Sequence, residues 1–261
     1  MKRKRYPKED RQERIIAAIN AHGAAGVSEL ASELGVTRQT VRRDLDELSV
    51  NGIVNRTYGG AAVRRVGLEP TLMERSKVAT AERSVIADLA SGLFSNGEVV
   101  MMGAGVTTQY LARRLAARYD RLQVFTNNMG AGLVLAARPG IRVVFAPGDL
   151  DPGEECVCGA ETLAFLEKFR ADTAVFGASG LFEGGACEVH SGIAWVDRMM
   201  LRQSRRHILL LDHSRFGRPH MELVCAPEEI DILVSDRRPE RELRNLLTEC
   251  GVEILCPESG R

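Results

Sequence analysis

The 261-residue sequence predicts an α/β domain with a mainly parallel sheet, preceded by a small helical domain that ends in a β-hairpin. Charge is one reason: residues 1–65 carry 13 Lys and Arg against 8 Asp and Glu, although the whole chain has zero net charge. Apolar residues recur at helical spacing before residue 63, and beyond residue 80 the order strand, turn, helix repeats. The 44% hydrophobic and 27% charged residues are typical of a globular protein.

Two short helices are predicted first. Residues 11–21 place isoleucines at helical spacing and are followed by His22 and a glycine, which is a helix stop. Ser28 is positioned to cap a second helix over residues 29–34. Gly35 then supplies the backbone freedom that a sharp turn needs.

A third helix follows this turn, with Thr37 as its expected cap. Val41, Leu45 and Leu48 are spaced by four and three residues, so they predict a buried face. Side chains suited to phosphates and base edges are left on or beside the open face: Thr37, Arg38, Gln39, Thr40, Arg42 and Arg43. Two helices joined by a glycine turn, the second with Arg and Gln near its start, allow a helix to enter the major groove of DNA.

A β-hairpin, or wing, is predicted over residues 53–61, with Arg56 in reach of a phosphate or the minor groove. Asp44 is expected to hold an arginine or to cap locally, because DNA phosphates repel a carboxylate. The alternative is a small helical domain whose arginines are only solvated. The agreement of turn, caps, core spacing and charge favours DNA binding.

The segment GVSELASELGVTRQTVRRDLDELSVNGIVNRTYGGA resembles the winged helix-turn-helix of the DeoR family of bacterial transcriptional regulators. The resemblance is strongest in V-T-x-x-T-V-R-R-D-L-x-x-L and R-x-x-G-G-A. It implies that the six third-helix residues and Arg56 contact double-stranded operator DNA. Residues 1–63 then form the DNA-binding domain, residues 64–80 a linker containing Gly67 and Pro70, and residues 81–261 the second domain.

The second domain begins with a predicted helix over residues 81–93 and then alternates strands with helices. The predicted strands are residues 98–102, 123–126, 142–146, 173–177, 207–211, 232–235 and 252–255. One predicted helix follows the first strand and ends at residue 118. Four more span residues 129–137, 161–169, 193–205 and 240–249. This alternation is typical of a parallel sheet covered by helices.

Ligands of such sheets bind at the carboxyl ends of the strands. The first glycine turn there offers backbone N–H groups and hydroxyls to an anion such as phosphate, through Gly103, Ala104, Gly105, Thr107 and Thr108. Neighbouring strand ends offer further ligand contacts: Asn127, Asn128, Gly148, Ser179, Gly180, Asp212 and Arg215. A glycine turn also serves close packing of a helix on a strand, so the turn alone leaves both interpretations open.

MGAGVTT, FTNN, APGDL, DTAVFGASGL and LLLDHSRFG resemble the sensor domain of the same family. The resemblance implies a fold like that of ribose-phosphate isomerases and a phosphorylated sugar or related small metabolite as effector. The sequence departs from the family pattern at four positions: Gly103 replaces aspartate, Val106 serine or threonine, Ile193 glutamate and Arg215 lysine. Without a carboxylate at the turn, the acid–base chemistry of an isomerase is lost.

We therefore expect a repressor of carbohydrate or polyol metabolism genes, acting as a homodimer or homotetramer, and not an enzyme. The alternatives are an isomerase-like enzyme with a DNA-binding appendage and a ligand-free oligomerisation domain. No apolar run predicts a membrane span or signal peptide, so the expected location is cytoplasmic. The six cysteines are expected to be reduced, and no metal and no cofactor is expected, although Cys156 and Cys158 with Cys187 and His190 form a weak candidate metal site.

Overall fold

The computed structural model describes residues 6–22, 24–50, 53–57, 59–63 and 71–257. The chain divides into two compact units, Met1–Leu68 and Glu69–Arg261. Each unit has its own hydrophobic core. Among the described helices, none is long and apolar enough to span a membrane.

Three helices and a small antiparallel sheet form the described part of the first unit. They are α1 (Lys8–His22), β1 (Ala24–Gly26), α2 (Val27–Leu34), α3 (Arg38–Val50), β2 (Val54–Thr57) and β3 (Gly60–Val63). The strand order is β1-β3-β2, so the predicted wing is confirmed. Strand β1 was not predicted, because Ala-Ala-Gly has no β-branched or aromatic residue. Isoleucines of α1 pack with Leu30, Val41 and Leu45 in one core.

The turn between α2 and α3 has the predicted geometry. Gly35 ends α2 in the left-handed region, at φ 66°, which glycine adopts without steric cost. Thr37 caps α3, since its Oγ1 accepts a hydrogen bond from the backbone N–H of Thr40 at 3.1 Å. The local signals of this segment therefore determine where α3 begins.

The start of α2 differs from the prediction. Ser28 does not cap this helix, which begins at Val27, two residues earlier than predicted, after Gly26 and without a side-chain cap. The backbone N–H of Val27 instead donates to the carbonyl of Gly59 in the wing at 2.8 Å. A Cβ at Gly60 would lie 2.2 Å from the carbonyl oxygen of Ala25, so the close approach of β3 to β1 requires glycine there.

The second unit is an α/β structure, and the predicted fold class is confirmed. Its helices are α4 (Leu72–Arg75), α5 (Thr80–Ala90), α6 (Val106–Arg118), α7 (Met129–Ala136), α8 (Ala160–Leu166), α9 (Ser191–Arg202) and α10 (Arg241–Glu249). Its strands are β4 (Val99–Met102), β5 (Leu122–Thr126), β6 (Ile141–Phe145), β7 (Asp149–Asp151), β8 (Cys156–Cys158), β9 (Ala171–Phe176), β10 (Gly180–Phe182), β11 (Gly185–Glu188), β12 (Ser204–Leu210), β13 (Glu222–Cys225), β14 (Ile232–Val234) and β15 (Glu253–Leu255).

Seven of these strands form one parallel sheet in the order β15-β14-β12-β9-β4-β5-β6. Successive residues of β4 alternate between two cores: Val100 and Met102 join one and Met101 the other. The chain proceeds outward from β4 to β6 in one direction and from β9 to β15 in the other. This reversal between β4 and β9 is the switch point at which an open parallel sheet leaves a crevice for ligands.

Two small antiparallel elements lie outside the predicted pattern. Strands β7 and β8 form a hairpin, and β10, β11 and β13 form a separate sheet. Both consist of strands of only three or four residues. Three of them, β7, β10 and β11, contain aspartate or glycine, which are depleted in strands, and the sequence did not reveal these elements.

The segment assigned to the linker is partly structured. Helix α4 lies within this segment. Leu72 is buried, and the backbone N–H of Leu72 donates to the carbonyl of Gly153 at 2.9 Å. Thr71 and Glu74 form a capping box at the start of α4. Residues from 71 onward therefore pack on the second unit, whereas residues 64–70 lie outside the described part of the chain.

Candidate functional site

Helix α3 turns the residues predicted to contact DNA toward solvent. Val41 and Leu45 are fully buried on its inner face. The side chains predicted for DNA contacts are exposed or half-buried: Thr37, Arg38, Gln39, Thr40, Arg42 and Arg43. The arginines of α3 are thereby presented together near the start of a helix that follows a sharp turn. Arg56 belongs to β2, but its side chain lies outside the described residues.

Helix α1 is joined to α3 by ion pairs. Asp44, which is 2% exposed, accepts two hydrogen bonds from Arg11, at 2.5 Å from Nε and 2.9 Å from Nη2. Hydrogen bonding to Asp44 raises the pKa of Arg11. Lys8 pairs with Glu47 at 2.6 Å. Asp44 therefore holds an arginine as predicted, and this arginine belongs to α1.

A cleft in the second unit lies at the switch point, beside the ends of β4, β9 and β12. It contains about 540 Å³ of empty space, part of it open to solvent. The glycine turn and the first turn of α6 form one side, with Ala104, Gly105, Val106, Thr107 and Thr108. Charged side chains form much of the remainder, namely Arg75, Arg83 and Arg215 with Glu154, Glu188 and Asp212. Ile193, Leu210 and Leu211 are among the apolar lining residues.

Hydrogen bonds hold the glycine turn at the start of α6. Gly105 has φ 119°, a conformation that favours glycine. Its carbonyl accepts hydrogen bonds from Thr108 Oγ1 at 2.8 Å and from Asn128 Nδ2 at 3.0 Å. The backbone N–H groups in the first turn of any α-helix have no acceptor within the helix. Since this turn faces the cleft, it provides a site suited to an anion.

Arg83 is the most deeply buried cation of the cleft, at 4% exposure. Its Nη1 donates to the carbonyl of Arg75 at 2.6 Å, whereas its Nε has no hydrogen-bond acceptor among the described residues. Burial lowers the pKa of Arg83, and the nearby Asp212 carboxylate opposes that shift. A bound anion would compensate the charge of this guanidinium further.

The other two arginines of the cleft also have hydrogen-bond partners in the protein. Arg75 on α4 forms an ion pair with Glu154, whose side chain is 3% exposed. His190 Nε2 lies 3.3 Å from the same carboxylate, and hydrogen bonding to Glu154 raises the pKa of His190. Arg215 Nη1 donates to the carbonyl of Ser179 at 3.3 Å. The cleft thus combines three arginines with three carboxylates rather than being uniformly basic.

Gly103 faces a buried acid instead of the cleft. A Cβ at Gly103 would lie 2.4 Å from Asp197 Oδ1, so the side chain of Asp197 occupies the space beside this glycine. Asp197 is 1% exposed, and neither carboxyl oxygen has a hydrogen-bond partner among the described residues. Burial, reinforced by the charge of Glu188, raises the pKa of Asp197 well above its usual value. A carboxyl enclosed in this way is out of reach of a ligand in the cleft and cannot act on it as a general base.

Six of the twelve predicted ligand residues line the cleft: Ala104, Gly105, Thr107, Thr108, Asp212 and Arg215. The other six lie outside its lining: Gly103, Asn127, Asn128, Gly148, Ser179 and Gly180. The unpredicted antiparallel elements explain several of these positions. Asn127 Nδ2 donates to the carbonyl of Val157 in the β7–β8 hairpin at 2.9 Å, and Ser179 donates its hydroxyl to Glu188 on β11. These elements cover the ends of β5 and β9 that the sequence left open.

Four charged residues of the cleft were missed by sequence reasoning: Arg75, Arg83, Glu154 and Glu188. None of them ends a strand of the parallel sheet at a glycine turn. Arg83 occupies a helix and Arg75 the segment assigned to the linker, where charged residues are ordinarily solvated. No local pattern distinguishes these four from surface charges.

The cysteines and histidines form no metal centre in the part of the chain that the structure describes. Cys187 Sγ donates to the carbonyl of Gly180 at 3.4 Å. His213 Nδ1 lies 2.7 Å from Asp236. Cys156 and Cys158 lie side by side, with their sulfur atoms 3.8 Å apart.

A winged helix-turn-helix unit followed by a parallel-sheet unit with a cleft at its switch point is an architecture suited to a DNA-binding transcriptional regulator. Residues 11–65 match the DeoR-like helix-turn-helix domain, and residues 78–237 match the DeoR C terminal sensor domain. The chain belongs to the DeoR family of transcriptional regulators.

Curated relatives extend over nearly the whole chain. The HTH-type transcriptional repressor GlcR of Bacillus subtilis is 30% identical, covering 95% of this chain and 96% of that protein. The glycerol-3-phosphate regulon repressor of Escherichia coli is 28% identical, covering 93% of this chain and 96% of that protein. Since these relatives are regulators, the expectation of a regulator and not an enzyme is confirmed.

Among solved structures, the chain is similar to ribose 5-phosphate isomerase A from Methanocaldococcus jannaschii. The TM-score is 0.39 and the identity 17%, over 51% of this chain and 53% of that one. The alignment thus spans about half of the isomerase.

Proposed function

We propose that this regulator represses genes of carbohydrate or polyol metabolism and is controlled by a phosphorylated sugar or a related small metabolite. In this proposal residues 1–63 bind operator DNA and residues 64–80 connect the two parts, with α4 at the end of this connection contributing Arg75 to the cleft. Residues 81–261 supply the rest of the effector site and associate as a homodimer or homotetramer. Its place of action is the cytoplasm, where operator DNA is found in bacteria. The naming of an E. coli relative as a glycerol-3-phosphate regulon repressor supports this effector class.

The observation that carries the proposal is the convergence of two kinds of anion-binding group in one cleft. The first turn of α6 supplies backbone N–H groups beside Thr107 and Thr108. Arg83 and Arg215 line the same cleft and supply guanidinium groups, which suit phosphate geometry. A phosphoryl group in this position would receive hydrogen bonds from the helix and charge compensation from the arginines.

The carboxylates of the cleft favour a ligand that carries hydroxyl groups in addition to its phosphate. Glu154, Glu188 and Asp212 are hydrogen-bond acceptors, and a ligand hydroxyl is a donor that suits them. A ligand with one anionic group and several hydroxyls therefore fits the mixed charge better than a polyanion does, because like charges repel. Phosphorylated sugars and polyols have this composition.

Helix α4 supplies the proposed route from effector to DNA. Its Arg75 lines the cleft and is paired with Glu154. A phosphate that binds Arg75 competes with Glu154 for the guanidinium, so occupancy of the cleft changes the contact that holds α4 in place. Because α4 follows residues 64–70 directly along the chain, we propose that this change alters how the DNA-binding unit is positioned. Such coupling requires that the effector bind the two arrangements with different affinity.

A thermal-shift screen of the full-length protein against phosphorylated sugars, polyols and sugar acids tests the effector assignment. Each stabilising compound is then added to an assay of binding to the DNA upstream of the regulator's own gene. We expect at least one phosphorylated compound to raise the melting temperature and to change DNA affinity. Arg215→Ala should weaken binding of that compound about tenfold or more, because a hydrogen bond to a charged group is lost.

Arg142→Ala is the matched control, because Arg142 is exposed on β6 and does not line the cleft. This variant should keep the wild-type thermal shift. Stabilisation by unphosphorylated compounds alone would overturn the phosphate assignment. Intact DNA binding without stabilisation by any compound would overturn the proposed effector class.

A further inference from the structure

Strand β8 contains two neighbouring thiols, close to residues that line the cleft. The Sγ atoms of Cys156 and Cys158 lie 3.8 Å apart on the same face of the strand. Cys156 is fully buried, whereas Cys158 is only half-buried. One thiol is therefore open to a small reagent, and a second thiol lies beside it in a protected position.

The surroundings of Cys158 favour its thiolate. It packs against the first turn of α9, where a Cβ at Gly192 would lie 3.4 Å from its Sγ. The N-terminus of this twelve-residue helix attracts negative charge. A hydrogen bond from Cys156 lowers the pKa of Cys158 and the nearby His190 adds to this effect, against burial and the carboxylates of Asp151 and Glu154, which raise it. The same hydrogen bond and burial raise the pKa of Cys156. The two thiols thus differ in both exposure and acidity.

We propose that Cys156 and Cys158 form a dithiol that hydroperoxides oxidise reversibly to a disulfide. The Cys158 thiolate attacks one peroxide oxygen, the O–O bond breaks, and the leaving oxygen takes up a proton as water or an alcohol. The resulting sulfenic acid is attacked by the Cys156 sulfur, an S–S bond forms, and the sulfenic hydroxyl leaves as water with the thiol proton. Two thiols lose two electrons and two protons, and the peroxide is reduced by two electrons.

Val157, which lies between the two thiols, is hydrogen-bonded to Asn127 at the end of β5. Val157 donates its backbone N–H to the carbonyl of Asn127 at 2.9 Å and accepts a hydrogen bond from the Asn127 amide at 2.9 Å. A disulfide requires about 2.0 Å between the sulfur atoms, so the two side chains must move toward each other and we infer that β8 distorts when the bond forms. Oxidation is therefore expected to disturb the contact between Val157 and Asn127.

The buried thiol also adjoins the cleft. Cys156 packs with Ala104 and Ile193, both of which line the cleft. Asn128, next to Asn127, holds the carbonyl of Gly105 in the glycine turn. A change in β8 reaches the anion-binding turn through these contacts.

Peptide mapping of the full-length protein tests the proposal without any effector, so its outcome is independent of the proposed function. The protein is treated with hydrogen peroxide, denatured, alkylated and digested. We expect the peptide containing Cys156 and Cys158 to lose two hydrogens, to resist alkylation and to recover both thiols after dithiothreitol. Cys250→Ser, at a half-buried cysteine that directly follows α10, should form the same disulfide.

Single substitutions assign the two roles. In Cys156→Ser, dimedone should trap a sulfenic acid at Cys158, whereas Cys158→Ser should leave Cys156 unlabelled. Continued alkylation of both thiols while Cys250 or Cys256 is oxidised would overturn the proposal, and so would dimedone labelling of Cys156 in Cys158→Ser. These readouts are covalent and the wild-type map alone suffices, so a poorly folded variant does not prevent the test.

Hydrogen exchange measures the structural consequence. The amide of Val157 should exchange faster in the oxidised wild-type protein than in the reduced protein. Cys158→Ser treated with the same peroxide should show no such change. Unchanged exchange at Val157 in a fully disulfide-bonded sample would overturn the link between the thiols and the cleft.

Discussion

The Arg75 guanidinium on α4 is paired with the Glu154 carboxylate of the β7–β8 hairpin, and both side chains line the cleft at the switch point. The two residues are 79 positions apart in the sequence. Their side chains are 12% and 3% exposed, so neither charge is fully compensated by water. This ion pair therefore joins the first helix of the second unit to the cleft.

Glu154→Gln is expected to destabilise the protein by about 3 kcal/mol, because it leaves a largely buried arginine without its carboxylate. Urea unfolding at neutral pH measures this loss. Asp120→Asn is the matched control, since the exposed pair of Asp120 with Arg138 should contribute no more than about 1 kcal/mol. Equal losses in the two variants would show that Arg75 does not depend on Glu154.

Arg42→Ala and Arg43→Ala should each weaken DNA binding across sequences and reduce the salt slope by about one unit. Gln39→Ala should instead relax the preference at one base position, by about 1–3 kcal/mol of discrimination. Titration of DNA at several salt concentrations separates the two effects. Arg14→Ala, at an exposed arginine of α1, is the control expected to leave the slope unchanged. An unchanged slope in both α3 variants would contradict docking through this helix.

Asp197→Asn should stabilise the protein increasingly as pH rises. Burial raises the pKa of Asp197 in the folded state, whereas the unfolded carboxyl titrates near about 3.9. Above that pH the unfolded state loses a proton that the folded state keeps, so wild-type stability falls by up to about 1.4 kcal/mol per pH unit until the folded pKa is reached. Asparagine has no such titration. Denaturation of both proteins between pH 4.5 and 8 measures the difference, and a difference independent of pH would disprove the raised pKa of Asp197.

Thr37→Ala should cost about 1 kcal/mol of stability, because it removes the side-chain cap of α3. Ser28→Ala should change stability by no more than about 0.5 kcal/mol, because Ser28 is exposed and does not cap α2. Thermal unfolding of the first unit provides the measurement. A larger loss in Ser28→Ala than in Thr37→Ala would contradict the observed boundaries of the two helices.

Local signals predicted the elements that depend on neighbours in sequence. Gly35 and Thr37 marked the turn and the cap, and the spacing of Val41 and Leu45 marked the buried face of α3. The same reasoning failed at Ser28, because the backbone N–H of Val27 donates to the Gly59 carbonyl of the wing and no side-chain cap is present. A partner that is distant in sequence leaves no local signal.

The sequence by itself determined the two-part organisation, the parallel sheet, the glycine turn at α6 and the arginine-rich face of α3, because periodicity and turn chemistry act within a few residues. Only the tertiary structure decided which charges enter the cleft. Arg83 and Glu154 reach it from a helix and a hairpin, and Asp197 fills the space that Gly103 leaves. These arrangements depend on the packing of elements far apart in the chain, and burial of a charge is a property of that packing rather than of the residue.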